Sequence, residues 1–434
     1  VKMNTGTPSG STLSWTNDYY GRRRYAAWNE NASFLSPRFA GNVKCQDLHS
    51  EPVPDMVIFS HSNLLSEAER VAALHTAAPD NMRVLIVTPE QVANEFGSGV
   101  ADINAMRRLL KMFYDRGKDA EGHSLRYALL MGSAHFDHRR LTPSMRGSRV
   151  ATLPLWQTDE GCQESFSYSS DDPLGVLGDN SGLNFSSEPM SIAVGRIPAR
   201  TLSDAKVYVD RLVAYVNSPA PGQWRSTMVI VADDGNENDH MSQSEDMLSG
   251  FQLSDKGRDM LCHKVYIDNY PLIGGQATGA REKLHGLLAD GVVWWNYIGH
   301  SSLTTNSGEG ILTLTDLSNL YLRRAPFYYG ATCSFVHWDG DDVSGLEMLA
   351  MSEAGGIIGG ISATRPVYIS RNGELTSALG KELFVTDADN ALSPIGEVLR
   401  RAKNRLGNDN NKLRYVLLGD PAMRLDIPAI SVSL

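Results

Sequence analysis

Val292-Val-Trp-Trp-Asn-Tyr-Ile-Gly-His300 and Phe327-Tyr-Tyr-Gly-Ala-Thr-Cys333 are two short runs of apolar, aromatic and β-branched residues, each closing on small residues and one reactive side chain. Continuous apolar runs of this length read as buried parallel strands, and in open α/β sheets chemistry gathers beyond the carboxyl ends of the strands. Neighbouring strands of this kind would hold a thiol and an imidazole side by side. The pairing has a chemical logic, because a thiol attacks as thiolate and needs a nearby base to take its proton.

The same grammar extends in both directions. Met56-Val-Ile-Phe59, Val84-Leu-Ile-Val87 and Tyr127-Ala-Leu-Leu-Met131 read as strands separated by helical patterns, with Ser66-x-x-Glu69 as a capping box for the first helix. Residues 134–189 are rich in Ser, Asp, Gly and Pro, and a loop of that length is expected to overhang a cleft. Ile192-Ala-Val194 and a helix over about 203–216 close this first unit. After Ser218-Pro-Ala-Pro-Gly222 the pattern repeats through Met228-Val-Ile-Val231, Lys264-Val-Tyr-Ile267, the two opening strands, Ile357-Ile-Gly-Gly-Ile361 and Tyr415-Val-Leu-Leu418. Alternating strands and helices imply an α/β fold of two tandem subdomains, each a mostly parallel sheet flanked by helices. The expected boundaries are 1–52 for an irregular N-terminal segment, 53–222 and 223–428 for the subdomains, and 429–434 for the start of a following β domain.

A chain of 434 residues with 42% hydrophobic content can fill two such cores, and a formal net charge of −10 argues against nucleic-acid partners. Arg22-Arg-Arg24 is read as solvated surface. Cys45, Cys162, Cys262 and Cys333 contain no C-x-x-C pair, so a structural zinc site is not expected. His135-Phe-Asp137-His138 reads as a loop hydrogen-bond cluster rather than a metal site, and His337 as a cleft-wall residue. Phosphate-binding glycine motifs and the Gly-x-Ser-x-Gly elbow are absent. Asp233 and Asp234, at the end of a further strand, are both placed to orient the imidazole.

Asn296-Tyr-Ile-Gly-His300-Ser, Gly330-Ala-Thr-Cys333, Glu95-Phe-Gly-Ser-Gly99, Ala193-Val-Gly-Arg-Ile-Pro198 and Gly419-Asp-Pro421 together resemble the gingipain-type cysteine peptidases of family C25, whose subdomains are similar to the caspase fold. The resemblance covers roughly 55–425. It implies Cys333 as nucleophile, His300 as general base and acid, and Asp234 as the acidic partner of the histidine, with Asp233 the alternative. It implies an oxyanion hole from the backbone N–H groups of Cys333 and Ser301, where gingipains carry Gly. Asp239, Ile298 and Trp338 are the implied substrate-binding residues, without the family's Arg or Lys specificity. No cofactor is required, and a structural calcium ion is allowed.

Gln46-Asp-Leu-His49, Pro54-Asp-Met-Val-Ile58 and the helix 66–75 bring the resemblance closest to the sortase-like branch of the family, in type IX secretion. That branch implies an extracytoplasmic enzyme at the outer membrane and cell surface. Its partners would be C-terminal signal domains of secreted cargo, other secretion components, and a lipopolysaccharide amine as acyl acceptor. The alternatives are a non-catalytic docking subunit of the secretion machinery and a general secreted endopeptidase.

Overall fold

The computed structural model describes residues 8–14, 26, 31, 33–34, 36–39, 41–158, 166–217, 220–387 and 390–428. The arginine triplet at 22–24, Cys162 and the final segment 429–434 lie outside the described residues. The chain divides into two compact units, Val1–Gln46 and Asp47–Leu434. In the first, Pro8–Ser9 pairs antiparallel with Thr12–Leu13.

The second unit is built on a ten-stranded sheet of β1 (Met56–Ser60), β2 (Val84–Val87), β3 (Tyr127–Met131), β4 (Ala193–Ile197), β5 (Thr227–Ala232), β6 (Leu261–Tyr266), β7 (Trp294–Ile298), β8 (Phe327–Ala331), β9 (Gly359–Ala363) and β10 (Tyr415–Leu418). They form one continuous sheet in the order β6-β5-β7-β8-β9-β10-β4-β3-β1-β2. Every neighbouring pair is parallel except β9–β10. The two expected α/β halves therefore share a sheet, joined where β10 meets β4.

That seam explains two glycine-bearing motifs. A Cβ on Gly195 would lie 2.5 Å from the carbonyl oxygen of Gly419, so only glycine lets the strands meet. Beyond Gly419, the buried Asp420 accepts a hydrogen bond of 2.7 Å from His75 Nε2, while His75 Nδ1 meets Asp80 at 2.8 Å. Burial pushes the His75 imidazole pKa down, but the two carboxylates outweigh it and raise it to about 10. A buried imidazolium thus ties the first half to the end of β10.

The helices include α1 (Leu65–Thr76), α2 (Pro89–Phe96), α3 (Ile103–Arg116), α4 (Leu202–Asn217), α5 (Asp239–Phe251), α6 (Thr278–Asp290), α7 (Leu314–Asn319), α8 (Gly345–Met351), α9 (Ile369–Glu382) and α10 (Ile395–Asn404). The Ser344-x-x-Glu347 box forms at the start of α8, with the Ser344 N–H and hydroxyl both donating to Glu347. Ser66-x-x-Glu69 does not start a helix. The chain turns directly out of β1 into a 3-10 turn, Ser62–Leu64, and the His61 side chain caps it by accepting the Asn63 N–H at 3.2 Å.

Sequence periodicity missed α5 and α9, because their inward faces are partly polar. His240, Gln243 and Ser244 are buried on α5, and Asn372 and Thr376 on α9. The helices cross at Gly250 and Gly380, where a Cβ on Gly250 would lie 2.7 Å from the Gly380 carbonyl carbon.

Candidate active site

Register aligns the reactive residues. Ile298 of β7 pairs with Ala331 of β8 and with Ala232 of β5, so the three strands end level. His300 and Cys333 each stand two residues past this line, and Asp233 one residue past it. The strands hold their level through stacked aromatics, with Trp294 on Phe327 at 5.4 Å and Trp295 edge-on to Tyr328 at 5.0 Å. Gly299 is obligatory, because a Cβ there would fall 2.3 Å from Asp233 Cβ.

Cys333 and His300 line one open cleft of ≈ 560 Å³ with Asp239, His240, Gln243 and the segment 367–370. Each is hydrogen-bonded elsewhere. The Cys333 sulfur accepts the Val367 N–H at 3.4 Å and lies 3.8 Å from the Val367 carbonyl. His300 Nε2 lies 2.8 Å from Asn236 Oδ1. A carbonyl oxygen only accepts, so Nε2 carries the proton and Nδ1 is left as the basic nitrogen.

Neither strand-end carboxylate bonds the imidazole. Asp233, buried, uses Oδ2 to accept the backbone N–H of His300 at 2.8 Å and the Tyr297 hydroxyl at 3.1 Å. It positions the turn, not the ring. Asp234 is half-buried and makes no hydrogen bond to the ring; its orienting place is taken by Asn236. The run Gly235, Asn236, Glu237 and Asn238 has φ of 70°, 49°, 55° and 69°, a left-handed stretch that Gly and Asn tolerate and Glu does not favour. This turn delivers Asn236 to His300. Sequence reading overlooked Asn236; the one available signal was the Gly-Asn-x-Asn composition after Asp234, typical of positive-φ turns.

Asp233, Asp234 and Glu309 bring carboxylate oxygens within 4.8 Å of one another. Burial and then Glu309, together with Asp268, raise the Asp234 pKa, and burial followed by Glu309 raises that of Asp233. Asp233 Oδ1 is buried with no protein partner. An all-oxygen set with one orphaned carboxylate oxygen fits a hard cation such as calcium.

Ser301 links the two strand ends: its hydroxyl donates to the Cys333 carbonyl and receives the Thr332 hydroxyl at 2.8 Å. After the nucleophile, Ser334 sits at φ 49°, a strained turn. Among the expected substrate-binding residues, Asp239 is exposed on the cleft rim. Ile298 and Trp338 are fully buried and do not line it. Ile298 is held between β5 and β8, and Trp338 packs over the buried Arg196 guanidinium at 5.4 Å. His337 instead pairs with Asp339 at 3.3 Å. The long loop packs against this same segment: the Phe136 N–H donates to the Asp339 carbonyl at 2.9 Å and Gln157 to its carboxylate at 3.0 Å. His135 and Asp137 serve that loop, His135 Nδ1 accepting the Asp137 N–H at 2.9 Å. Among the described residues Cys45, Cys262 and Cys333 are free thiols, and burial raises the Cys262 pKa to about 11, which disfavours its thiolate.

Known structures share this architecture. The Arg-specific cysteine proteinase gingipain R (RgpB) superimposes with a TM-score of 0.64 at 16% identity, over 88% of this chain and 80% of that one. A structure described as a protease gives 0.62 at 13% identity, over 87% and 80%. Dimeric latent PorU from Porphyromonas gingivalis gives 0.50 at 23% identity, over 89% of this chain and 32% of that one. No curated protein sequence matches the chain. The family model for peptidase family C25 matches residues 49–426, nearly the whole α/β unit, and the chain therefore belongs to this family of cysteine peptidases.

Proposed function

We propose that the chain cleaves C-terminal secretion signals from cargo of a type IX secretion system through a thioester on Cys333, and passes the acyl group to water or to a lipopolysaccharide amine. The observation that carries the chemistry is the shared cleft at the level ends of β7 and β8, with a thiol on one side and an imidazole on the other.

His300 Nδ1 takes the proton from the Cys333 thiol as an entering peptide displaces the sulfur from Val367. The thiolate adds to the scissile carbonyl, and the oxyanion meets the backbone N–H groups of Cys333 and Ser301; one such donor is typically worth about 3–4 kcal/mol. His300 returns its proton to the leaving amine, the C–N bond breaks and the thioester remains. Water or an acceptor amine, deprotonated by His300, attacks that thioester and restores the thiol. Asn236 steadies the imidazolium through Nε2, Asp233 holds its backbone, and Asp234 supports the site through its negative charge. A structural calcium ion would be met by Asp233, Asp234 and Glu309.

The likeness to RgpB and PorU supports the fold of this reading. Among the described residues no helix is long and apolar enough to cross a membrane. Cell-surface, outer-membrane placement belongs to the same proposal, together with docking to other secretion components. The test mixes protein, a cargo C-terminal peptide and an amine nucleophile, with product masses read directly. An amine-bearing product supports transfer, and only hydrolysed product refutes it. A thiol-directed acyl electrophile should label Cys333 in a His300-dependent manner. Labelling that ignores His300→Ala would favour the docking-subunit reading.

A further inference from the structure

The inward face of α5 is polar where a helix of this position would ordinarily be apolar. His240 and Gln243, three residues apart and so on one helix face, are 3% and 9% exposed and both line the cleft beside Cys333 and His300. Both ring nitrogens of His240 are buried without a hydrogen-bond partner in the protein. Gln243 donates from Nε2 to the Ile369 carbonyl at 2.9 Å, which fixes its amide, and its Oε1 is buried and unpartnered. A buried polar atom left unpaired typically costs about 1–3 kcal/mol, so this floor is built for something that arrives.

The geometry points to a substrate subsite, floored by His240 and Gln243, for a carboxamide side chain, Gln or Asn, on the residue that supplies the scissile carbonyl. This rests on the cysteine-peptidase reading and names its substrate class. The floor offers one fixed acceptor in Gln243 Oε1, and in the neutral imidazole one donor and one acceptor. A carboxamide carries both donor and acceptor: its N–H group answers Gln243 Oε1 and its carbonyl answers the imidazole N–H. A guanidinium or ammonium group only donates, and would leave the imidazole N–H facing another donor. An aliphatic side chain would leave every group unpaired. The imidazole is neutral at working pH, since burial and then the charge of His300 push its pKa down to about 4. Its ring stands edge-on to His300 at 5.2 Å, so a basic side chain bound there would also face the imidazolium formed in each cycle. The one carboxylate of the cleft, Asp239, is exposed at the rim and screened by water. Ile369 and Val367 supply apolar walls for the methylenes.

Acetyl-Ala-Ala-X-amides with X as Gln, Asn, Leu, Met, Arg or Lys and a fluorogenic leaving group test this on the full chain, because a site made to hydrogen-bond a side chain rejects its apolar isostere strongly. The expected kcat/KM for Gln or Asn exceeds that for Leu, Met, Arg and Lys by roughly tenfold or more, and Gln243→Leu collapses the Gln-over-Leu ratio toward unity, with the variant's folding checked by its melting temperature. Binding of the corresponding peptide amides to Cys333→Ala reads the subsite without chemistry. Tighter binding of the carboxamide peptide there, with no hydrolysis by the wild type, would remove the peptidase reading and keep the subsite. Equal binding of Gln and Leu peptides, or a preference for Arg or Lys, would overturn the subsite whatever the hydrolysis shows. His240→Phe, which keeps the ring and removes its polar atoms, is expected to weaken the carboxamide preference in the same direction.

Discussion

Replacing Asn236 by Ala isolates the contact that orients the imidazole. The 2.8 Å bond from His300 Nε2 to Asn236 Oδ1 is neutral in the resting pair and becomes charge-assisted once His300 holds the thiol proton. A neutral bond contributes about 0.5–1.5 kcal/mol and one to a charged group about 1.5–3 kcal/mol. Both side chains are exposed, so the low end applies, and the charged state loses about 1.5 kcal/mol. At about 1.4 kcal/mol per factor of ten, kcat/KM should fall roughly tenfold, with a thermal midpoint shift of a few degrees at most. The assay is peptide hydrolysis across pH together with the rate of Cys333 labelling. Asn236→Asp places a carboxylate against the ring, favours imidazolium, and should move the acidic limb of the profile to higher pH while restoring part of the rate. Asp234→Asn, by contrast, should change kcat/KM less than Asn236→Ala. If Asn236→Ala leaves rate and pH profile untouched while Asp234→Asn abolishes activity, the tautomer argument is wrong and the carboxylate orients the ring after all.

Ser301→Gly removes the hydroxyl clamp on the Cys333 carbonyl but keeps the backbone N–H, so it should slow labelling and hydrolysis several-fold without abolishing them; complete loss would assign the hydroxyl a larger part. His75→Gln probes the seam by pH. The folded pKa of about 10 lies above the ordinary value of 6.5, so the imidazolium's stabilisation is full below about pH 6.5 and fades as pH rises through about 10. The difference in unfolding free energy between wild type and variant, read by urea unfolding, should therefore be largest at acidic pH, on the order of a few kcal/mol, and shrink toward pH 10. Lys403→Met strands the buried Asp172 carboxylate, which Lys403 Nζ meets at 2.6 and 2.7 Å, and should cost about 3–5 kcal/mol in urea unfolding. The double variant with Asp172→Leu should recover most of that loss.

The eight inner strands were legible in the sequence because they are buried on both faces, and burial on both faces writes continuous apolar runs. Trp294, Trp295, Tyr328 and Tyr329 are all fully buried, and the pairing of β7 with β8 follows from their matched lengths. What the runs do not encode is how two sets of strands meet. The fusion into a ten-stranded sheet depends on Gly195 lying under Gly419 and on the His75–Asp420 contact, close approaches between residues more than 200 positions apart. Single-strand patterning has no access to such distances, so two tandem sheets were the natural expectation. The end of β4 shifted for a related reason: Arg196 is accommodated inside the strand because Asp171 neutralises it at 2.7 and 2.8 Å.

Around the site, legibility tracked covalent neighbourhood. Cys333 and His300 announce themselves because each ends an apolar strand, and Asp233 does so one strand away. Asn236 and the floor residues His240 and Gln243 reach the same cleft through a left-handed turn and a helix whose buried face is hydrophilic, and hydropathy therefore assigns that helix to solvent. Trp338 shows the converse error: an aromatic five residues beyond the nucleophile looks like a cleft wall, yet it packs over Arg196 beneath the loop. Helix α9 closes the account. It presents Asn372 beside the cleft and crosses α5 through Gly380 at Gly250, so the distance between His240 and the segment 367–370 is set by a glycine contact remote from the chemistry. A side chain introduced at Gly250 would push the two helices apart and widen the cleft at its floor, altering which substrate side chain fits before altering the thiol or the imidazole.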